Sequence, residues 1–135
     1  MPAIHGRVCY HPCETFCNRA EVDEAVSIHA VERFLGDEAL EKGWPIPEPA
    51  PLTHKRVLII GAGPCGLATA YYLGLAGHDV EIHENGPMAG GMMRFGIPTY
   101  RLPRPILEGE IRRIENMPIK IATNMLCHQI ITLVA

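Results

Sequence analysis

The sequence predicts an α/β fold organised around a glycine-rich turn. Three observations carry that reading. Val57, Leu58, Ile59 and Ile60 form a short apolar run suited to a strand buried on both faces. Gly61, Gly63 and Gly66 follow at the strand's end as G-x-G-x-x-G, with a helix-forming stretch directly behind them. His78 to His83 then reads as a second strand, and it ends at Glu84, 18 residues past the last glycine. In such a unit the first glycine permits a tight turn and the second lets the backbone approach a pyrophosphate. The third lets helix and strand pack closely, and the acid meets a ribose hydroxyl. Together they point to a bound dinucleotide. Pro64 falls where a first helical turn tolerates a missing N–H. Leu67 to Leu75 continues the helix, and Gly77 supplies its stop.

The rest of the chain sorts into segments. Met1 to Asn18 reads as irregular, with Pro2, Gly6 and Pro12 breaking any helix. Ser27 to Lys42 is predicted as an amphipathic helix, from Ile28, Val31, Phe34, Leu35 and Leu40 at helical spacing, although Gly36 weakens it. Trp44 to Thr53, WPIPEPAPLT, is a stiff extended linker. After Glu84 comes a long loop rich in glycine and proline. Arg104 to Met117 follows as a second helix of the unit, with Ile106, Leu107, Ile111 and Ile114 on one stripe. Pro118 to Thr123 is a candidate third strand. Met125 to Ala135 is apolar without periodicity. A doubly wound domain needs five or six strands. The expectation is therefore an N-terminal part of something longer, inactive by itself.

Composition excludes several classes. The chain has 135 residues and a formal charge of −3, without the basic stripe of a nucleic-acid binder. No apolar run approaches the roughly 20 residues of a membrane helix, and MPAIHGRVC lacks the apolar core of a secretion signal. Neither nucleic acid nor membrane insertion is expected. The five cysteines are an odd number, and three of them crowd one end. That favours metal or redox use in a reducing, cytoplasmic setting over a secreted disulfide framework.

Those three cysteines, Cys9, Cys13 and Cys17, are spaced C-x3-C-x3-C. Iron–sulfur clusters are normally held by four thiolates. Zinc prefers closed tetrahedral sites, and His5 or His11 could complete a Cys3His set here. Spacing alone does not choose between the two metals.

With both motifs in hand, the chain resembles the glutamate synthase small-subunit-like flavoproteins, whose cysteine-rich helical module is also found in dihydropyrimidine dehydrogenase. GRVCYHPCETFCNRAEVDEAVSIHAVERFLGDEAL resembles the cysteine module. RVLIIGAGPCGLATAYYLGLAGHDVEIHE resembles the FAD fingerprint, and AGGMMRFGIPTYRLPRPILEGEI the segment after it. The resemblance implies that FAD occupies the site at Gly61, Gly63, Pro64, Cys65, Gly66 and Glu84. The loop at Gly91, Met92 and Arg94 would pass close to the flavin. It also implies a [4Fe–4S] cluster on Cys9, Cys13 and Cys17, with Glu32 on the following helix as a ligand. Further ligands would come from an upstream motif that this sequence lacks.

The fold class so implied is α/β: a partial Rossmann-like FAD-binding unit at 55–135, a proline-rich linker at 44–54 and a small helical iron–sulfur module at 1–43. NAD(P)H would act through a later domain absent from this chain. Electrons would pass through FAD and cluster to a partner subunit or acceptor protein. The alternative is a docking module held by zinc or a cluster, with a structural nucleotide and no catalysis. Arg94 is read as a partner for a flavin phosphate or a carboxylate, and Met88, Met92 and Met93 as packing. Cys65 is read as a small residue in the turn, and Cys127 as inert.

Overall fold

A computed structural model describes residues 1–126, so Cys127 and the end of the apolar tail lie outside the described residues. The cysteine-rich part contains α1 (Pro2–Val8), α2 (Pro12–Thr15), a 3-10 turn (Asn18–Glu21) and α3 (Ile28–Glu41). The nucleotide unit runs β1 (Arg56–Ile60), α4 (Pro64–Leu75), β2 (Asp79–His83), α5 (Met92–Phe95), α6 (Arg104–Glu115) and β3 (Ile119–Ala122). Its three strands are parallel in the order β1-β2-β3, with Ile59, Ile82 and Ile121 in register. The predicted strand–helix–strand order and the third strand are all present. Only the short α5 interrupts what reads in sequence as one continuous loop.

The core lies between this sheet and α4 and α6. Leu67 and Ala70 of α4, Val80 and Ile82 of β2, and Leu107, Ile111 and Ile114 of α6 are all buried. Each fully buried Leu or Ile contributes about 1.5–3 kcal/mol of transfer free energy. One face of the sheet departs from expectation. β1 alternates instead of being buried on both sides, and Leu58 and Ile60 are 41% and 52% exposed. The helices bury the row that contains Ile59 and Ile82. In register with Leu58 and Ile60 on the opposite row stand Glu81 and His83, partly exposed and polar.

The N-terminal segment corrects the sequence reading. Residues 1–18 are not irregular, because the residues taken as breakers serve the helices. Pro2 and Pro12 sit at first helical positions, where no N–H is needed. Gly6 and Gly36 mark the crossing of α1 and α3. A Cβ on Gly6 would lie 2.5 Å from the Arg33 backbone, and one on Gly36 would lie 2.2 Å from the Ala3 nitrogen. Because that crossing uses small residues, α3 buries Gly36 and Ala39. Its predicted apolar stripe points outward instead: Ile28, Val31, Phe34 and Leu35 are all exposed.

Three hydrogen bonds help tie the cysteine-rich part and linker to the nucleotide unit. The buried Glu110 of α6 accepts the Ala3 N–H at 2.8 Å, satisfying a first-turn donor of α1. The segment 44–54 contains neither helix nor strand, and it caps α4: Ala50 N–H donates to the Leu75 carbonyl at 2.8 Å and Thr53 N–H to the Gly77 carbonyl at 2.9 Å. Gly77 needs its glycine there, at φ +82° with the Pro51 carbonyl 2.3 Å from where a Cβ would stand.

Candidate functional site

The glycine turn has the geometry its spacing predicts. Gly61 adopts φ +92°, a left-handed conformation that suits glycine. A Cβ on Gly66 would lie 1.9 Å from the Gly61 carbonyl oxygen, so α4 meets the strand end at glycine-only distance. At Gly63 the reverse holds, since nothing lies within 4 Å of a built Cβ. Gly63 is also the N-cap of α4 and has no side-chain cap. Pro64 has no N–H to give. The first-turn N–H groups of Cys65 and Gly66 therefore remain for an outside acceptor. Cys65 is exposed at that helix end. Open space, unclaimed N–H groups and the positive helix end converge on one spot, which suits a phosphate.

Glu84 closes the other side of the turn. One carboxylate oxygen accepts the Ala62 N–H and the other accepts the Gly86 N–H, both at 2.7 Å. Each oxygen keeps lone pairs for a vicinal diol. The carboxylate is thus fixed at the carboxyl edge of the strands, beside the turn.

The following loop folds back over the turn. Gly90 N–H donates to the Ala62 carbonyl at 2.8 Å, and a Cβ on Gly91 would lie 2.9 Å from Gly63 Cα. Gly90 is a member of this site that the sequence reading missed, and the Gly90–Gly91 pair was the available signal. Arg94 is 8% exposed; its guanidinium bonds the Ala89 carbonyl and, at 2.6 Å, the Glu108 carboxylate. Of its two predicted partner types, the one it meets is a carboxylate. It fastens the loop to α6. Among the loop methionines Met93 is packed as expected, whereas Met88 and Met92 are exposed.

The three clustered cysteines are free thiols, as is Cys65. Cys9 caps α1, Cys13 lies in α2, and Cys17 caps the 3-10 turn. Backbone N–H groups of Val26, Arg19 and Ala20 point at the Cys17 sulfur and push its pKa down, favouring the thiolate. The Cys9 sulfur accepts the His11 N–H at 3.2 Å. Among the described residues, no three of Cys9, Cys13, Cys17 and Glu32 place ligand atoms within 4.8 Å of one another. A single zinc needs a tighter set, whereas the corners of a four-iron cube take a wider one. Glu32 lies on α3 with its carboxylate 3.5 Å from His5 Nδ1. Glu14, also missed by the sequence reading, holds a carboxyl pKa below the usual range, chiefly through the side-chain hydrogen bond from His29. A cavity of about 340 Å³ lies between this module and the loop after α5, lined by Cys9, His11, His29, Arg33, Tyr100 and Arg101.

Residues 1–44 match the family model described as "Dihydroprymidine dehydrogenase domain II, 4Fe-4S cluster", and residues 59–107 match the NAD(P)-binding Rossmann-like domain. The chain is 45% identical over 124 residues to the NADPH-Fe(3+) oxidoreductase subunit beta of Geobacter sulfurreducens, covering 90% of this chain and 18% of that protein. It is 43% identical over 125 residues to the glutamate synthase [NADPH] small chain of Bacillus subtilis, covering 92% and 25%. This chain is a homologue of the glutamate synthase small-chain-like oxidoreductase subunits. A third relative of that kind is the NAD-dependent dihydropyrimidine dehydrogenase subunit PreT of Escherichia coli, 40% identical over 126 residues, 92% of this chain and 31% of the relative. The chain thus spans less than a third of the length of each of these relatives. The family matches fall on the cysteine-rich and glycine-turn segments just described. Among the described residues no helix is long and apolar enough to cross a membrane.

Proposed function

We propose that this chain supplies the FAD-binding turn and a [4Fe–4S] site of an NAD(P)H-dependent electron-transfer subunit. The observation that carries the reading is the joining, through Glu110 and α1, of a phosphate cradle open at Gly63 to a module that carries three free cysteines. The two sites border a common loop. Gly90 and Gly91 lie on the turn, and Tyr100 and Arg101 line the cavity shared with Cys9.

In this reading the N–H groups of Cys65 and Gly66 and the α4 helix end hold the pyrophosphate, and the Glu84 carboxylate accepts the ribose hydroxyls. Gly91 lets the loop close over the turn, Met92 stands exposed on that loop, and Arg94 keeps the loop against α6. Cys9, Cys13, Cys17 and Glu32 hold the cluster, with backbone N–H groups stabilising the Cys17 thiolate. Bound FAD supplies the conversion of a hydride's electron pair into single-electron transfers. NAD(P)H enters through a part of the protein outside this chain. A partner subunit covers the exposed apolar residues of α3, consistent with the relatives being subunits by name. The divisions at 1–43, 44–54 and 55–135 are the working domain boundaries of this proposal.

Extraction of the anaerobically purified protein, followed by chromatography of the released nucleotide and iron and sulfide assays, tests it. FAD with iron and acid-labile sulfide is the expected result. A nicotinamide nucleotide in place of flavin, or zinc in place of iron and sulfide, rejects it.

A further inference from the structure

His11, Glu14 and His29 gather into a constellation that contains no thiol. Glu14 is anchored first: one carboxylate oxygen accepts the His29 backbone N–H at 3.0 Å and meets His29 Nδ1 at 2.7 Å. The other oxygen stands 3.5 Å from His11 Nδ1, beyond a good hydrogen bond. The two imidazoles stack with centroids 4.1 Å apart and planes 18° apart, so both present their Nδ1 edge to the same carboxylate. His11 holds this position from a left-handed backbone, φ 44° and ψ 48°, which costs a non-glycine residue of order 1 kcal/mol. One ligand atom from each of the three residues falls within 4.8 Å of the others.

We propose that His11, Glu14 and His29 bind a single divalent transition-metal ion of the zinc class. Two histidines and a glutamate are a recurrent zinc set that leaves a fourth position open. At zinc–nitrogen and zinc–oxygen lengths of about 2.0–2.2 Å, tetrahedral ligand atoms stand about 3.4 Å apart. The present separations of 2.7 and 3.5 Å bracket that value, and metal entry requires each imidazole to tilt out of the stack so that its Nδ1 lone pair turns toward the ion. The metal replaces the hydrogen bond between His29 and Glu14 and gives His11 Nδ1 the partner it lacks. Both imidazoles line the cavity of about 340 Å³, so the fourth position opens toward Arg33 and Arg101 and takes water or a small anion. Cys9 lines the same cavity, but no cysteine sulfur belongs to this set, so removing the thiols distinguishes it from the cluster site of the proposed function.

Cobalt(II) titration of the metal-stripped protein under anaerobic conditions, with zinc competition, tests the proposal. The expected result is one cobalt per chain, displaced by zinc, with weak visible bands and no thiolate-to-cobalt charge transfer. Cys9, Cys13 and Cys17 changed together to serine should leave it. His29→Asn and, separately, His11→Asn should weaken it by more than the roughly 10–100-fold that loss of an outer-shell partner costs. Intense thiolate charge transfer at the first equivalent, unaltered affinity in either histidine variant with retained circular dichroism, or no binding at micromolar metal would each overturn the site.

Discussion

Gly63 and Gly66 stand three residues apart, and their substitution to alanine should do opposite things. At Gly66 the new methyl would lie 1.9 Å from the Gly61 carbonyl oxygen, about 1.4 Å inside an ordinary C···O contact of about 3.3 Å. The obstacle is backbone at the end of β1, so α4 has to retract from the sheet. Overpacking of this kind costs about 1–3 kcal/mol, occasionally more. Alanine returns about 0.5–1 kcal/mol through helix propensity. Because the obstacle is backbone, the overpacking cost falls at the upper end and the net loss is about 2 kcal/mol, which lowers the melting temperature by about 3–5 °C per kcal/mol in a chain of this size. At Gly63 the methyl meets nothing within 4 Å, and φ −77° suits alanine. The stability change there is limited to the poorer N-cap, a few tenths of a kcal/mol to about 1 kcal/mol. That methyl does enter the space in front of the α4 N-terminus, so dinucleotide affinity should fall at least tenfold. Thermal melts without ligand, paired with FAD titration followed by flavin fluorescence, separate the two effects. Wild-type FAD affinity in Gly63→Ala would remove the phosphate site from Gly63, and a wild-type melting temperature in Gly66→Ala would remove the close approach of α4 to the strand end.

Further outcomes follow from individual contacts. Glu84→Ala removes the acceptor for two turn N–H groups and the proposed acceptor for the ribose, so FAD binding should weaken by about 1–3 kcal/mol; isothermal titration showing less than a threefold loss would contradict the role. Glu110→Ala leaves the Ala3 N–H buried without an acceptor, at a cost of about 1–3 kcal/mol, and should increase hydrogen exchange in α1 before the sheet; unchanged α1 protection would dismiss Glu110 as the tie between the two parts. Lys120, then His83, hydrogen-bond Glu81 and lower its pKa. That stabilisation is present above about pH 4.5 and is lost as pH falls through the lowered folded value. The melting-temperature gap between wild type and Lys120→Met should therefore close on acidification through that range, and a gap independent of pH would exclude the linkage.

The nucleotide unit was legible in the sequence because its signals are local. Gly61, Gly63, Gly66 and Glu84 sit at spacings dictated by one strand–turn–helix–strand path. α6 was legible because Leu107, Ile111 and Ile114 repeat on its buried face. The N-terminal helices were not. Gly6 and Gly36 have meaning only at the α1–α3 crossing, a contact about thirty residues distant in sequence that local propensity cannot report. The outward apolar stripe of α3 misled for the same reason: periodicity marks a face to be covered without saying by what. Leu58 and Ile60 carry a similar ambiguity, since an apolar run does not reveal how many layers flank its sheet. At the cysteines, spacing left zinc and iron–sulfur open, and the resemblance decided the expectation. The histidine–glutamate set stayed hidden because His29 joins Glu14 from fifteen residues away, across the 3-10 turn.

The proposed function requires one chain to join a flavin site to an iron–sulfur site. Low-temperature electron paramagnetic resonance of the anaerobically purified protein, reduced stepwise with dithionite and paired with flavin absorbance, tests it most directly. FAD should bleach, together with the appearance of a reduced [4Fe–4S] signal that is lost when Cys17 is changed to serine. A protein with no iron signal, or one whose signal is indifferent to Cys9, Cys13 and Cys17, would contradict it.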